Sequence, residues 1–485
     1  VCIFFADFSL IIFTLGTHII NENNTVEQTE NLIHEVLVEF GLDNKIVHAV
    51  TDAGGTVRQA ILRGNMTHHI CLGHALHNLV VDGFCSVPEV TILIRKCKNI
   101  VKALRYRSGE LEDDTVEVQQ HFLAVIDSVA EMLEYDDNDP ILQNHFTESE
   151  GHFTEGFQEV NILDAHSRDV NYIMPSQNAH IGIPTRWHSI LEMLESIISI
   201  CNREQMNNNL QRVEKNELKL TQYEWRLIED LVQFLKRFRE VVEIMTFSGS
   251  CNFNVALVFR TEIIDILNSM ISNESMILIN IKQNMLANVD RRFPVTPSMV
   301  AAALLDSRFI CLSVVDSYLA AQGMTKVTFL AAYVKEVIKG GIFVQDVKVE
   351  KESVINTSSA AATSGRTPPS ILTKLSLKHS NNVSVNMPVD PVEQECWRYL
   401  ASAAQPIDGN LLSYWNEKRQ QYPWLSALAK CLLCIPATCT SSERVFSSAG
   451  LLYSAKRLRL NPARVNKIMF VHDNYRSCKS DSQNK

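Results

Sequence analysis

The stretch Ile46–Leu72, IVHAVTDAGGTVRQAILRGNMTHHICL, alternates between two kinds of secondary structure and decides the fold class. Its β-branched beginning, IVHAVT, predicts a short strand, and the segment Asp52–Gly55 predicts a turn. A short helical segment, Val57–Leu62, leads to a second strand-like stretch, Thr67–Leu72. Strand and helix at this spacing predict an α/β sheet unit.

The residues before this stretch add a helix and few strands. Residues 3–20 favour one or two strands. Thr25 with Gln28 fits a capping box, apolar residues follow at helical spacing, and Gly41 is a suitable end. The first helix therefore begins near residue 25, and we expect the first strand of the sheet to lie upstream of Val1, so that the chain is a fragment.

The residues after it change in character. Residues 91–344 contain long amphipathic segments with few strand signals, which predicts a helical insertion. Residues 345–390 are rich in Ser, Thr and Asn and predict a flexible linker. Residues 391–485 carry five helical segments. The predicted organisation is thus an incomplete α/β part (1–90), an insertion, a linker and a C-terminal region.

Composition narrows the class of protein. The chain has 485 residues, is 46% hydrophobic and 21% charged, and carries a formal net charge of −10. This balance argues against a surface covered in basic residues, although Lys456–Arg464 is a local basic patch. The apolar run Cys2–Leu15 is too short to span a bilayer. We expect that the protein binds neither a membrane nor a small-molecule substrate. We interpret the 12 cysteines as reduced thiols.

Asp52 is a candidate metal ligand. It follows a strand and precedes a glycine-rich turn, and carboxylates at strand ends face the crevices where α/β enzymes bind ligands. Two or three such carboxylates can hold Mg²⁺ for attack on a phosphodiester. The alternative is a turn aspartate that caps the next helix.

Cys71-Leu-Gly-His74 has the spacing of half a zinc site, with more Cys and His residues nearby at His68, His69, His77 and Cys85. A closed zinc site needs four ligands, and the sequence shows no clear second pair. We therefore expect no zinc in this chain and a structural role for Cys71 and His74.

Arg186 and Trp187 precede an amphipathic helix. An arginine beside a tryptophan can bind phosphate and stack on an extruded base. The alternative is that Trp187 anchors the core and Ser189 caps the helix.

Glu443 lies on a predicted helix in the C-terminal region, where large apolar residues crowd. Glu443 is either a metal ligand delivered to the sheet or half of a surface pair with Arg444. The apolar residues form either an obligate interface or an internal core.

The C-terminal stretch Tyr414–Asn474 begins YWNEKRQQYPWLSALAKCLLCIPATCTSSERVFSSAG. It resembles the C-terminal dimerisation region of hAT-superfamily DNA transposases, through its Tyr-Pro-x-Leu, Ile-Pro-Ala and Ser-Glu-Arg-Val-Phe-Ser-x-x-Gly motifs. The resemblance implies that the dimerisation residues are Trp415, Tyr422, Pro423, Leu425, Leu428, Ile435, Pro436, Arg444, Val445, Phe446 and Gly450.

Shorter upstream segments resemble the same family: Thr51–Gly54, Cys71-x-x-His74 and Thr185–Ser189. The resemblance is to genomic copies that pair this core with a BED-type zinc finger. It implies an RNase H-like domain interrupted by a helical insertion, with a helical C-terminal dimerisation region. It further implies that Asp52 and Glu443 bind Mg²⁺ in an active member, and that Arg186 and Trp187 contact DNA.

The chain departs from the family pattern at the first catalytic aspartate and at the zinc finger. Asp7 is the sole aspartate before the first predicted helix, and it does not sit in an Asp-x-Trp context. Loss of one metal-binding carboxylate abolishes two-metal chemistry. The sequence thus predicts a transposase-derived, catalytically incomplete protein that forms a homodimer or higher homo-oligomer and acts in the nucleus as a DNA-associated regulator. The alternatives are a truncated active transposase that performs Mg²⁺-dependent excision and strand transfer, and a plain helical scaffold.

Overall fold

A computed structural model describes most of the chain in segments: residues 2–4, 8, 10–18, 25–43, 45–52, 54–106, 186–200, 203–246, 252–269, 274–339, 390–402, 405–406, 409–452 and 462–483. The predicted flexible linker lies outside the described residues, apart from Asp390. Residues 107–185 of the predicted insertion also lie outside them.

The described strands form two separate pairs. Strands β1 (Cys2–Phe4) and β2 (Leu10–Ile12) are antiparallel. Strands β3 (His48–Thr51) and β4 (Thr67–Ile70) are parallel. The predicted strand–helix–strand unit is therefore present around Asp52. An RNase H-like sheet has more strands than either of these two pairs, so this fold stays a prediction.

Helices make up most of the described residues. In chain order they are α1 (Val26–Glu39), α2 (Gly55–Arg63), α3 (Leu72–Cys85), α4 (Pro88–Tyr106), α5 (Arg186–Ile200), α6 (Arg203–Arg212), α7 (Gln222–Thr246), α8 (Ala256–Asn268), α9 (Met276–Arg292), α10 (Pro297–Leu304), α11 (Ser313–Ala321), α12 (Lys326–Lys339), α13 (Pro391–Leu400), α14 (Leu411–Lys418), α15 (Pro423–Leu433), α16 (Thr440–Leu452) and α17 (Pro462–Gln483).

The signals in the sequence explain where α1 begins and ends. The Thr25 side chain accepts a hydrogen bond from the backbone of Gln28, and the Gln28 side chain accepts one from the backbone of Thr25. This capping box satisfies two N–H groups that the helix leaves free. Gly41, two residues beyond the end of α1, has φ +61°, a backbone conformation that glycine adopts without strain. The predicted start and end of this helix are confirmed.

The chain divides into two compact units. The first comprises Val1–Phe13, Phe253–Leu257 and Val295–Ile435, and the second comprises Thr14–Asn252, Val258–Pro294 and Pro436–Lys485. The C-terminal region therefore contributes residues up to Ile435 to the first unit and the rest to the second.

The second unit contains a core built on α3, which packs against α9. Gly83 permits this contact, because a Cβ atom there would lie 2.5 Å from Cγ of Met285. Asp82 accepts two hydrogen bonds from the guanidinium of Arg292, both at 2.7 Å, and one from Arg291 at 2.8 Å. Charge pairs and close packing thus join two helices that are distant in sequence.

The first unit contains a core around an aromatic cluster. Trp415, Tyr399 and Tyr422 are fully or almost fully buried, and their rings pack at centroid distances of 5.2 and 5.7 Å from Tyr399. The Glu395 side chain accepts a hydrogen bond from the backbone N–H of Leu425 at 2.7 Å at the start of α15. Among the helices that the structure describes, none is both long and apolar enough to cross a membrane.

Candidate functional site

The parallel pair β3 and β4 brings two candidate residues to the same edge of the sheet. Thr51 ends β3 and is paired with Ile70 at the end of β4. The backbone N–H of Cys71 continues the ladder by donating to the carbonyl of Thr51 at 2.8 Å. Since parallel strands end at the same edge, Asp52 and Cys71 both lie there, as α/β ligand sites require.

Helix α3 begins directly after Cys71 and places His74 in its first turn. Cys71 is the N-cap residue of this helix and is fully buried. Residues three apart share a face of a helix, so the imidazole of His74 turns toward the Cys71 thiol. The CxxH spacing therefore produces a local pair of metal-ligand types, as the sequence predicts.

A second segment reaches this edge from the far end of the chain. The backbone N–H of Leu72 donates to the carbonyl of Ala437 at 3.0 Å. Two residues later, the backbone N–H of Cys439 donates to Sγ of Cys71 at 3.3 Å. Helix α16 then begins at Thr440 and carries Glu443 in its first turn.

These two segments bring four ligand atoms together, one each from Cys71, His74, Cys439 and Glu443. All four lie within 4.8 Å of one another. Sγ of Cys439 is 3.5 Å from Nδ1 of His74 and 3.1 Å from Oε1 of Glu443. Nδ1 of His74 is 3.5 Å from the same Glu443 oxygen. We call these four residues the Cys-Cys-His-Glu cluster.

The cluster perturbs the proton affinities of its own members. A hydrogen bond with the Cys439 thiol lowers the pKa of Cys71 to about 4, against the effect of burial and with help from His74. The same contact raises the pKa of Cys439. The contact with Cys71 also raises the pKa of His74, as do the charges of Glu443 and Asp52. A thiolate beside an imidazolium is the charge arrangement that this geometry favours.

Asp52 stands beside the cluster without being one of its four ligands. Its carboxylate is exposed and accepts a hydrogen bond from the backbone N–H of Gly54 at 3.2 Å, which is the turn contact expected for an aspartate before a helix. Its charge nonetheless contributes, together with that of Glu443, to the raised pKa of His74. The structure therefore brings Asp52, Cys71, His74 and Glu443 to one edge.

The donor set at this edge does not fit Mg²⁺. That ion takes oxygen ligands in an octahedron and keeps several waters. Here the Glu443 carboxylate faces the Cys439 thiol and the His74 imidazole, and sulfur and imidazole donors suit zinc.

Cys439 is the member of the cluster that the sequence alone did not indicate. The signal was present, since Cys439 precedes Glu443 by four residues and so shares a helix face with it. Two of the histidines near Cys71 have partners outside the cluster. His68 is 2.8 Å from the hydroxyl of Thr51, and His69 is 3.0 Å from His48.

Trp187 lies in the core of the second unit. Its side chain is fully buried, and its backbone N–H donates to Nδ1 of His77 at 3.2 Å. Burial of Trp187 and Ser189 is the placement that the core interpretation expects. Arg186 is the first residue of α5, and its side chain lies outside the description. Contacts of Arg186 and Trp187 with DNA stay a prediction.

The residues predicted for dimerisation fall into two groups. One group is buried within the chain and comprises Trp415, Tyr422, Leu425, Leu428 and Ile435. The other keeps solvent exposure and comprises Pro423, Pro436, Arg444, Val445 and Phe446, while Gly450 lies within α16. The buried group builds the core of the first unit, so its members serve this chain's own fold.

Helix α17 has three faces with different neighbours. Val465 and Met469 pack against Ala449 of α16. A second face, with Asn466 and Asn474, hydrogen-bonds residues 14–17. The third face carries an exposed apolar stripe, which we define as Ile468, Val471 and Tyr475.

Sequence comparisons relate this chain to known proteins. The model of the hAT family C-terminal dimerisation region matches residues 392–475. Human zinc finger BED domain-containing protein 4 is 25% identical to this chain over 318 residues, which is 62% of the chain and 24% of that protein. The match thus spans about a quarter of the relative's length. The stripe on α17 lies within the matched region.

Proposed function

We propose that this chain, whose residues 392–475 match the hAT family C-terminal dimerisation region, is a self-associating and catalytically incomplete derivative of a hAT-family transposase. A second copy of the chain is its principal partner. The observation that carries the proposal is an exposed apolar surface inside the family-matched region.

That surface is the stripe on α17. Ile468, Val471 and Tyr475 are 42%, 61% and 60% exposed, although they are large apolar side chains at helical spacing on one face. Phe446 on α16, which packs against α17, is 57% exposed. Contiguous exposed apolar residues mark surfaces that bind other proteins, and a twofold pairing of two copies covers the same patch on each.

Light scattering after size-exclusion chromatography tests self-association at micromolar protein concentration. We expect the wild-type chain to run as a dimer or larger. Val471→Asp puts a charge into the stripe and should weaken association at least about 30-fold, the scale of a hot-spot residue. Ile92→Asp is the matched control, since Ile92 is 60% exposed on α4, outside the matched region.

The outcomes separate clearly. A wild-type chain that stays monomeric would contradict self-association. If Val471→Asp and Ile92→Asp weakened self-association equally, the stripe would not be the interface. Circular dichroism on both variants reports whether the fold is retained, because both positions are exposed and neither belongs to a core.

Catalytic incompleteness is the second part of the proposal. Its support is the donor set around Glu443, in which two thiols and an imidazole stand where a nuclease needs oxygen ligands for Mg²⁺. A truncated active transposase is the alternative, and the position of Asp52 at the same sheet edge as Glu443 favours it. A DNA-nicking assay distinguishes the two.

A nuclear, DNA-associated regulatory role is the third part. Its support is kinship with transposases, whose substrate is DNA, together with the basic sequence patch Lys456–Arg464. Binding through such a patch depends on phosphate contacts and weakens with salt. Imaging of the tagged chain in cells and a salt series of gel-shift measurements test it. Cytoplasmic retention or salt-insensitive binding would contradict it.

A further inference from the structure

We propose that the Cys-Cys-His-Glu cluster is a zinc site that joins the end of β4 to the start of α16. The ligands are the thiolates of Cys71 and Cys439, Nδ1 of His74 and one carboxylate oxygen of Glu443. This goes beyond self-association, and it revises the expectation of no zinc, which rested on the lack of a second ligand pair.

The distances suit a tetrahedral ion. Zinc bonds to sulfur, nitrogen and oxygen place neighbouring ligand atoms about 3.3–3.8 Å apart in a tetrahedron. Three contacts among Cys439, His74 and Glu443 measure 3.1, 3.5 and 3.5 Å. All four ligand atoms stay within 4.8 Å, so a small contraction closes the coordination shell.

The scaffold holds the ligands in two local pairs. Cys71 and His74 are three residues apart at the start of α3, and Cys439 and Glu443 are four apart at the start of α16. Backbone hydrogen bonds from Leu72 to Ala437 and from Cys439 to Cys71 fix one pair against the other. Both ligand pairs lie at the start of a helix, and the positive end of a helix dipole favours thiolates.

Burial fits a structural ion. Cys71 is fully buried, and the side chains of His74 and Glu443 are 33% and 24% exposed. Four protein ligands leave no open position for a substrate, as in structural zinc sites. Binding of Zn²⁺ displaces the proton from each cysteine thiol, so two protons leave to solvent for each ion bound from the dithiol form.

The ion would tie residues 436–452 to the sheet edge. Because the two ligand pairs are more than 360 positions apart in sequence, their cross-link opposes separation of α16 from β4 in unfolding. Glu443 would then serve the fold and not DNA cleavage.

The test measures metal on the full chain purified under reducing conditions without chelator. We expect one zinc per chain by mass spectrometry of the element. We also expect Co²⁺, added after zinc removal, to give the strong visible absorption of tetrahedral cobalt and a thiolate-to-cobalt band in the near ultraviolet. The cobalt measurement needs no substitution, so it remains informative if a variant fails to fold.

Variants assign the ligands. Cys439→Ser should weaken zinc binding by more than about 100-fold, the upper scale seen for residues that merely support ligands. Cys434→Ser is the matched control, because Cys434 lies five residues away and outside the cluster. It should bind zinc like the wild type.

Several results would overturn the proposal. One is a folded chain that holds no zinc and gives no tetrahedral cobalt spectrum. Another is an equal loss of zinc binding in Cys439→Ser and Cys434→Ser. A third is a Cys71–Cys439 disulfide in the reduced preparation. Failure here leaves self-association untouched, since light scattering measures that separately.

Discussion

The indole N–H of Trp415 donates to the carbonyl oxygen of Leu305 at 3.1 Å, so α14 is fixed to the C-terminal end of α10. Trp415 is fully buried and packs on Tyr399. The most apolar residues of the dimerisation region therefore stabilise their own unit, and the surface available for a second copy lies elsewhere in that region.

Trp415→Ala should destabilise the fold and not act selectively on association. Removal of a buried tryptophan leaves a cavity and an unpaired carbonyl at Leu305, and we expect the free energy of unfolding to fall by about 3–5 kcal/mol. Urea unfolding followed by circular dichroism measures this. A stable Trp415→Ala protein that is monomeric would place Trp415 in the interface instead.

Gly83→Ala should also destabilise the fold, because α3 and α9 approach closely there. An added Cβ would lie 2.5 Å from Cγ of Met285, near the start of a fully buried side chain, and 3.2 Å from Cγ2 of Ile281. Overpacking of this kind costs about 1–3 kcal/mol.

The control for Gly83→Ala is Gly55→Ala in α2. Gly55 is also helical, but nothing lies within 4 Å of an added Cβ, so alanine should be neutral or stabilising there. Urea midpoints of the two variants give the comparison. Equal midpoints would mean that Met285 moves aside without cost.

Local sequence signals predict the elements but not their long-range partners. The capping box at Thr25 and the β-branched run before Asp52 act over a few residues, so the start of α1 and strand β3 are predictable. Apolar spacing marks one face of α15 but does not say what covers it. The core position of Leu425 and its contact with Glu395 therefore appear in the structure alone.

The candidate site shows the same limit. Cys71 and His74 form a recognisable pair because they are three residues apart, whereas Cys439 is 368 positions from Cys71. The contact depends on a backbone hydrogen bond between Leu72 and Ala437, which no spacing in the sequence encodes. The sequence predicts each half of the cluster separately and cannot join them.

Acid should weaken the fold through a buried histidine pair. Burial lowers the pKa of His48 to about 4 and that of His69 to about 3, and Nε2 of His69 lies 3.0 Å from Nδ1 of His48. In the unfolded chain both take up protons near pH 6.5. Their contribution is complete above about pH 6.5 and is lost as the pH falls toward 4, on the order of 1–2 kcal/mol each at pH 5.

The measurement is the difference between the wild type and a His48→Phe/His69→Leu double variant in urea unfolding at pH 7, 6 and 5. The double variant should lose less stability on acidification. A difference is needed because Glu395, whose pKa burial raises to about 7, acts in the opposite direction. His34→Gln, on the exposed side of α1, controls for loss of a histidine. Parallel curves for the wild type and the double variant would contradict the prediction.

Purified chain should not nick DNA in Mg²⁺ or Mn²⁺. Glu443 faces Cys439 and His74 within 3.5 Å, and these neighbours compete with the oxygen ligands that such ions need. The assay uses labelled element-end DNA and protein shown by light scattering and circular dichroism to be folded and self-associated. Asp52→Ala and Glu443→Ala should match the wild type at background. Nicking by the wild type that disappears in Glu443→Ala would instead establish a complete catalytic centre and make the truncated active transposase the correct interpretation, because no contaminating nuclease depends on that carboxylate.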